Sequence, residues 1–299
     1  MFSAVESTQP ASHEARSTAK LGEYTHLRHI SAILVSSWRR ERPDVFTVTA
    51  HWPEHHGPGP YDPRLLAQTV RQSGLLVAHA EYGVPTGHQT LLNSLKITTQ
   101  PGFRTAGACD FEVDITVTRR ARRCALGMRF RIRRGHATVC LAETEFGWVS
   151  PAAYRRMRGR HLTVDWGEWP LPAPIGRHLA GRADDGDVLL AAGTAGHRWR
   201  LRNDVSNTLL FDHPVDHVPG LVLLEAAHQA ARAAAGPEPV ELTDVAIDFE
   251  RYVEFDEPCW IDARRLSTLV PNWYAVAVTG RQGGEVAFEA RLSGLRPLS

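Results

Sequence analysis

Hydrophobic and polar positions along this chain change period in a fixed order, and the order occurs twice. In EYTHLRHISAILVSSWRRERPDVFTVTAHW apolar residues alternate with polar ones in short runs broken by charge, which predicts short strands. PEHHGPGPYDP is dense in Pro and Gly and predicts a loop. LLAQTVRQSGLLVAHAEYG then moves to a period near 3.6, the pattern of a helix of about five turns. Alternation returns in LLNSLKITTQ, FEVDITVTRR, CALGMRFRIRR and ATVCLAETEFGWV, four strands of which the last two form a hairpin through Arg134, Gly135 and His136.

The second half repeats this succession. HRWRLRNDVSNTLLF reads as strand, DHPVDHVPG as loop, and LVLLEAAHQAARAAAG as a helix that Gly236 stops. VAIDFERYVEF, CWIDARRL, WYAVAVTGRQ and EVAFEARLSG supply four more strands. The register between the halves is exact: one shift of 157 residues carries His56 onto His213, Gln68 onto Glu225, Arg71 onto His228 and Gln72 onto Gln229.

A long helix followed by an antiparallel sheet can cover its apolar face only with those strands, so the expected class is α+β, two long central helices each wrapped by a curved antiparallel sheet. The expected organisation is a flexible N-terminal tail over 1–20, a first unit over 21–153, a linker over 154–190 rich in Pro, Gly and charge, and a second unit over 191–299. Two such units pair edge to edge or helix to helix.

Composition narrows the function classes. With 34 basic and 33 acidic residues, the balance gives no reason to expect nucleic acid or an anionic membrane as a partner. Cys109, Cys124, Cys140 and Cys259 lack CxxC spacing and suit reduced thiols in a cytoplasmic protein, with no metal site and no cofactor expected. The first 20 residues lack a signal-peptide pattern, and no stretch reaches the 18 continuous apolar residues of a membrane span.

Candidate chemistry gathers on the second helix. Glu225, His228, Gln229 and Arg232 fall at i, i+3, i+4 and i+7, one face amid Leu and Ala. A carboxylate so placed is either paired or raised in pKa, which makes Glu225 and His228 acid–base candidates and equally the members of a structural polar network. The helix begins after Pro219 and Gly220, so first-turn N–H groups at Gly220 and Leu221 are free to hold an oxyanion. His213 and His56 are loop histidines at the same offset from the two helices. Asp212 with His213, and Asp216 with His217, suit helix capping as well as catalysis, and RRMRGR at 155–160 suits a solvated linker, a nucleic-acid patch or a carrier-protein patch.

PGLVLLEA at 219–226 resembles the hotdog-fold dehydratases of fatty-acid synthesis, in which a loop histidine precedes a Pro-Gly step and a helix with a carboxylate. A wider resemblance is carried by FTVTAHWP, DPRLLAQTVRQSGLLVAHAEYGVPTGHQTLL, FDHPVDHVPGLVLLEAAHQAAR and the four C-terminal strands, which look like the A-factor biosynthesis hotdog family of butyrolactone and butenolide signal synthases. It implies a tandem double hotdog that moves a beta-ketoacyl group from an acyl carrier protein, or an acyl-CoA thioester, to a hydroxyl of dihydroxyacetone phosphate. The same residues are compatible with an acyl-thioester dehydratase or thioesterase, or with a non-catalytic acyl-thioester binder.

The dehydratase resemblance further implies crossed half-sites, His56 meeting Glu225 and His213 meeting Gln68. On that reading His56 with Glu225 is the competent pair, His213 faces an amide, and Arg71 is a charged clamp for a phosphate or for carrier phosphopantetheine, with Gln72, Gln229 and Arg232 as further substrate contacts. The family pattern Glu-x-x-Arg-Gln is incomplete in both helices, which read Gln68-x-x-Arg71-Gln72 and Glu225-x-x-His228-Gln229. Because one chain carries both halves, a monomer with an internal pseudo-dimer and a homodimer are both compatible with it.

Overall fold

The computed structural model describes residues 12–14, 18–55, 57–105, 107–119, 124–236 and 239–296. The first half comprises β1 (Ser12–Glu14), α1 (Thr18–Thr25), β2 (Val35–Arg42), β3 (Val45–Trp52), α2 (Pro63–Tyr82), β4 (Gln89–Thr99), β5 (Cys109–Arg119), β6 (Ala125–Arg134) and β7 (Ala137–Val149). Two helices follow, α3 (Pro151–Arg158) and the short α4 (Arg177–Ala180). The second half is β8 (Leu190–Ala192), β9 (Arg198–Leu201), α5 (Gly220–Ala235), β10 (Glu241–Phe249), β11 (Cys259–Arg265), β12 (Trp273–Gln282) and β13 (Glu285–Leu295).

All these strands belong to one antiparallel sheet in the order β1-β2-β3-β5-β6-β7-β4-β10-β13-β12-β11-β9-β8. The halves meet edge to edge at β4 and β10, with Thr98 opposite Asp244 and Leu95 opposite Ile247. Each half therefore closes the open edge that the other would leave unpaired. The helices α2 and α5 also touch, so the expected edge-to-edge and helix-to-helix pairings both occur.

Local chemistry explains the two long helices. Asp62 caps α2 by accepting from the Arg64 N–H, Pro63 stands at the first helical position, and Gly83 ends the helix at φ 65°, a left-handed conformation that glycine adopts without Cβ strain. The α5 helix starts at Pro219 with no side-chain cap and ends at Gly236. Its buried alanines, among them Ala226, Ala227, Ala230 and Ala231, let the backbone approach the sheet closely enough for the Tyr274 hydroxyl to donate to the Ala231 carbonyl. Burial alternates along β6, β12 and β13, so each presents one face to the core and the other outward. In β12 a side chain at Gly280 would collide with the Phe288 ring, and the ladder shifts register at that point.

Three segments differ from the pattern-based expectation. EYTHLRHI, read as strand, contains the end of α1: Leu21 and Thr25 are buried one turn apart, and the Thr25 hydroxyl donates back to the Leu21 carbonyl. HRWRLRNDVSNTLLF pairs only over Arg198–Leu201, after which Asp204 and Asn207 organise successive turns. The segment 154–190 is structured, with α3, α4 and a fully buried Leu189–Leu190 pair, and within the N-terminal segment Ser12–Glu14 pairs with β2. Among the described residues no helix is long and apolar enough to cross a membrane.

Candidate functional site

The 157-residue register holds in three dimensions. Gln72 is fully buried; its amide oxygen accepts from the Leu34 N–H and its amide nitrogen donates to the Ala32 carbonyl. Gln229, equally buried, makes the corresponding pair of bonds with Leu189 N–H and Asp187 carbonyl. Both glutamines thus pin the chain before a half's first sheet strand onto its central helix. Neither side-chain amide is left over for a substrate.

Around the neighbouring positions the halves diverge. A cavity of about 400 Å³ opens between α2 and the loop that precedes α5, bounded by Gln68 and Arg71 of α2, His26 and Leu27 after α1, Leu92 of β4, the 209–218 loop and the first turn of α5. It is therefore a crossed half-site, with helix residues from the first half and the histidine loop from the second.

The loop DHPVDH sets two histidine–aspartate pairs into this wall. Nδ1 of His213 lies 2.9 Å from the Asp212 carboxylate, which also accepts from the backbone N–H groups of Arg28 and His29. Burial opposes the Asp212 charge, but those donors hold its carboxyl below the usual carboxylate range. Nδ1 of His217 lies 2.8 Å from Asp216, and Asp216 in turn accepts from the Tyr154 hydroxyl and from the buried Arg158 guanidinium. In each pair the aspartate fixes the ring through Nδ1 and leaves Nε2 for a ligand. These aspartates hold imidazoles rather than capping α5.

Arg71 brings positive charge into the same cavity. Among the described residues its one hydrogen bond runs from Nη1 to the Thr25 carbonyl at 3.1 Å, and it forms no ion pair, although the Asp212 charge acts on it. Burial pushes its pKa down to about 10, so it remains cationic at neutral pH with most of its donors unused. His26, at φ 57° and stacked on His79 with ring centroids 4.9 Å apart, is pushed down to about 4 by burial, with His79 and Arg71 adding repulsion. It is neutral at physiological pH. Gln68 spends its amide nitrogen on the Leu209 carbonyl, while its buried oxygen has no partner among the described residues. At the mouth of α5 the Pro219 carbonyl serves the N–H groups of Val222 and Leu223, while those of Gly220 and Leu221 have no acceptor among the described residues.

The second half-site is filled. Glu225 is 3 % exposed, and its carboxylate takes a two-pronged contact from Arg182 together with the Gln229 amide. Arg182 also approaches Asp62 at 3.8 Å, and Arg64 bridges Asp62 and Asp187. Only about 10 Å³ remains beside Glu225 and His228, at most the room of one water. His228 is pushed down to about 3 by burial and by the Arg232 and Arg182 charges. Arg232 packs its stem against Gly181.

His56, expected to pair with Glu225 in the competent site, lies outside the described residues; on the Glu225 side the carboxylate is held by Arg182. Gln72 and Gln229, expected as substrate contacts, are engaged in holding the fold, whereas Arg232 forms no hydrogen bond or ion pair among the described residues. Sequence reading missed Arg182 and His26, and weighed Asp216 and His217 as a helix cap or a catalytic group without joining them as a pair. The repeated Asp-His dipeptide signalled that pair, whereas nothing in the linker's composition marked Arg182 as a partner of Glu225.

Comparison with known proteins adds a lineage to this geometry. A family model described as the A-factor biosynthesis hotdog domain matches residues 9–147 and again 167–294. A 2-oxo-3-(phosphooxy)propyl 3-oxoalkanoate synthase of Streptomyces virginiae is 38% identical over 278 residues, covering 89% of this chain and 94% of that protein. A protein of the same name from Streptomyces coelicolor is 36% identical over 281 residues, covering 90% and 89%. Among solved structures, the 12:0-ACP thioesterase from Umbellularia californica superposes at TM-score 0.53 with 9% identity, covering 84% of this chain and 94% of that one. The tesB protein of Mycobacterium avium subs paratuberculosis superposes at 0.51 with 13% identity, covering 94% and 100%. At those identities the structural likeness is one of fold alone.

Proposed function

The chain belongs to the A-factor biosynthesis hotdog family and is a tandem double hotdog, and on that premise we propose that its open half-site esterifies dihydroxyacetone phosphate with a beta-ketoacyl group delivered as a carrier thioester. The relatives' name states the product: a 3-oxoalkanoate ester whose alcohol part is dihydroxyacetone phosphate. The observation that carries the reading onto this chain is the uncompensated Arg71 guanidinium in a cavity beside an aspartate-held imidazole. A phosphate supplies the missing counter-charge, and an alcohol supplies the proton that His213 can take.

The reaction follows from these groups. Arg71 holds the phosphate of dihydroxyacetone phosphate. Nε2 of His213 accepts the proton of the free hydroxyl as the oxygen attacks the thioester carbonyl carbon, and Asp212 stabilises the imidazolium that results. The new C–O bond places negative charge on the former carbonyl oxygen, which the Gly220 and Leu221 N–H groups at the start of α5 receive. When the C–S bond breaks, the proton passes from His213 to the departing thiolate, giving the ester and a free carrier thiol. A carrier-bound thioester as donor supports a cytoplasmic setting for this chemistry, and one chain contains both halves of the fold.

Mass spectrometry of purified protein incubated with a beta-ketoacyl carrier thioester and dihydroxyacetone phosphate tests the proposal. The expected product is the phosphorylated ester or its ring-closed derivative. Free beta-keto acid would support a thioesterase instead, an enoyl thioester a dehydratase, and binding without product a non-catalytic acyl-thioester binder.

A further inference from the structure

The surface beside the cavity carries charge that the protein itself does not use. Helix α3 ends in Arg155, Arg156, Met157 and Arg158, with Arg160 one turn on. Arg158 is buried and anchors the helix through Asp216 and Glu254, which fixes α3 to the loop that carries His217. Arg155, Arg156 and Arg160 are exposed, and among the described residues none of them pairs with a carboxylate; Arg160 meets only the His161 ring. On the sheet, Arg129 is matched by Glu143 and Arg131 by Asp114, whereas exposed arginines such as Arg264, Arg281 and Arg291 pair with no carboxylate among the described residues but do not border the cavity. Between the unmatched arginines sits Met157, half exposed and at the same time a lining residue of the cavity.

A helix and the turn after it, with three free guanidinium groups around an exposed thioether at the rim of the acyl-transfer cavity, have the make-up of a protein-docking surface. We propose that the exposed face of α3 and Arg160 docks an acidic carrier domain, so that its acyl-bearing arm enters the cavity past Met157. The inference rests on the carrier-thioester reading above and adds the face and the charge of the partner. The occupant is an acidic protein because three dispersed, solvated arginines steer an extended acidic surface. A compact phosphate cluster, such as that of coenzyme A, calls instead for converging donors.

The test compares full-length protein with the variant Arg155→Glu/Arg156→Glu/Arg160→Glu. Its substrates are an acidic carrier protein loaded with a beta-ketoacyl group and the same acyl group on N-acetylcysteamine, which keeps the thioester and lacks the carrier. The expected result is a KM for the carrier substrate raised roughly tenfold or more, with lost salt dependence, and kcat/KM for the truncated thioester unchanged within about twofold. An unchanged carrier KM, or equal losses on both substrates, overturns the proposal. A selective loss on the coenzyme A thioester, with the carrier substrate unaffected, also overturns it.

Anisotropy of a fluorescently labelled carrier reads binding independently of turnover. Carrier binding that depends on the arginines, without product from either thioester, strikes the acyl-transfer reading and leaves the docking face standing. Absence of binding by the unaltered protein strikes the docking face.

Discussion

At the first half-site α2 presents Gln68 and Arg71 to a cavity rimmed by His26 and Leu27; at the second, α5 presents Glu225 and His228 to a space that Arg182 occupies. The contacts made by Gln72 and Gln229 set the correspondence: Ala32 and Leu34 in one half stand where Asp187 and Leu189 stand in the other, which puts Arg182 at the place of Leu27. Each central helix keeps one ionisable member of the family's Glu-x-x-Arg-Gln pattern, and the two losses have opposite consequences. A buried carboxylate without its arginine recruits a cation from the neighbouring chain, and the recruited side chain closes the space. A guanidinium without its glutamate stays uncompensated, and the space beside it stays open to an anion.

The largest effect that separates the halves is on turnover. His213→Ala removes the proposed base and lowers kcat by about 100-fold to 10,000-fold with an unchanged melting temperature. Glu225→Gln retains kcat in whatever fraction remains folded. If Glu225→Gln abolishes turnover in a folded protein while His213→Ala does not, the roles of the half-sites are reversed.

On stability the order inverts. Glu225→Gln strands the buried Arg182 charge and costs about 3–5 kcal/mol in denaturant unfolding, and Arg182→Met added to it recovers most of that loss. Arg71→Leu acts the other way, raising the KM for dihydroxyacetone phosphate roughly tenfold while leaving the unfolding midpoint unchanged or higher, because a buried unpaired charge is removed.

The remaining effect is on pH dependence. His228, pushed down to about 3, and His26, pushed down to about 4, stay neutral in the folded chain, whereas both titrate near 6.5 when it unfolds. As pH falls below 6.5 the unfolded state takes up these protons first, so stability is full above that pH and declines toward the folded values. The slope approaches about 1.4 kcal/mol per pH unit for each histidine. His228→Leu flattens the decline by one proton between pH 6 and 4, as urea titrations across that range would show.

Much of this architecture was legible because periodicity records burial directly. The strand patterns of the second half, CWIDARRL through EVAFEARLSG, fall on β11 to β13 within a residue or two, and Gly83 and Gly236 stop the helices where a left-handed or open backbone is needed. His213 and Gln68, placed together by the sequence, border one cavity. Which crossed site is open was not legible. That outcome depends on Arg182, which lies 43 residues from Glu225 in a segment whose Pro, Gly and charge read as linker. Side-chain partners across such distances leave no period in the chain. For the same reason α1 was read as strand: a two-turn helix with three buried positions gives too few repeats to tell 3.6 from 2.

The ladder between β4 and β10 has a consequence beyond closing two sheet edges. Two separate copies of one hotdog subunit would carry identical active-site helices, so any substitution that favoured one pocket would be imposed on the other. Tandem fusion within a single sheet frees the halves from that symmetry: one can be spent on rigidity while the other keeps a vacancy for ligand. The measurable signature is stoichiometry, one equivalent of dihydroxyacetone phosphate bound per chain in a fold whose architecture offers two places.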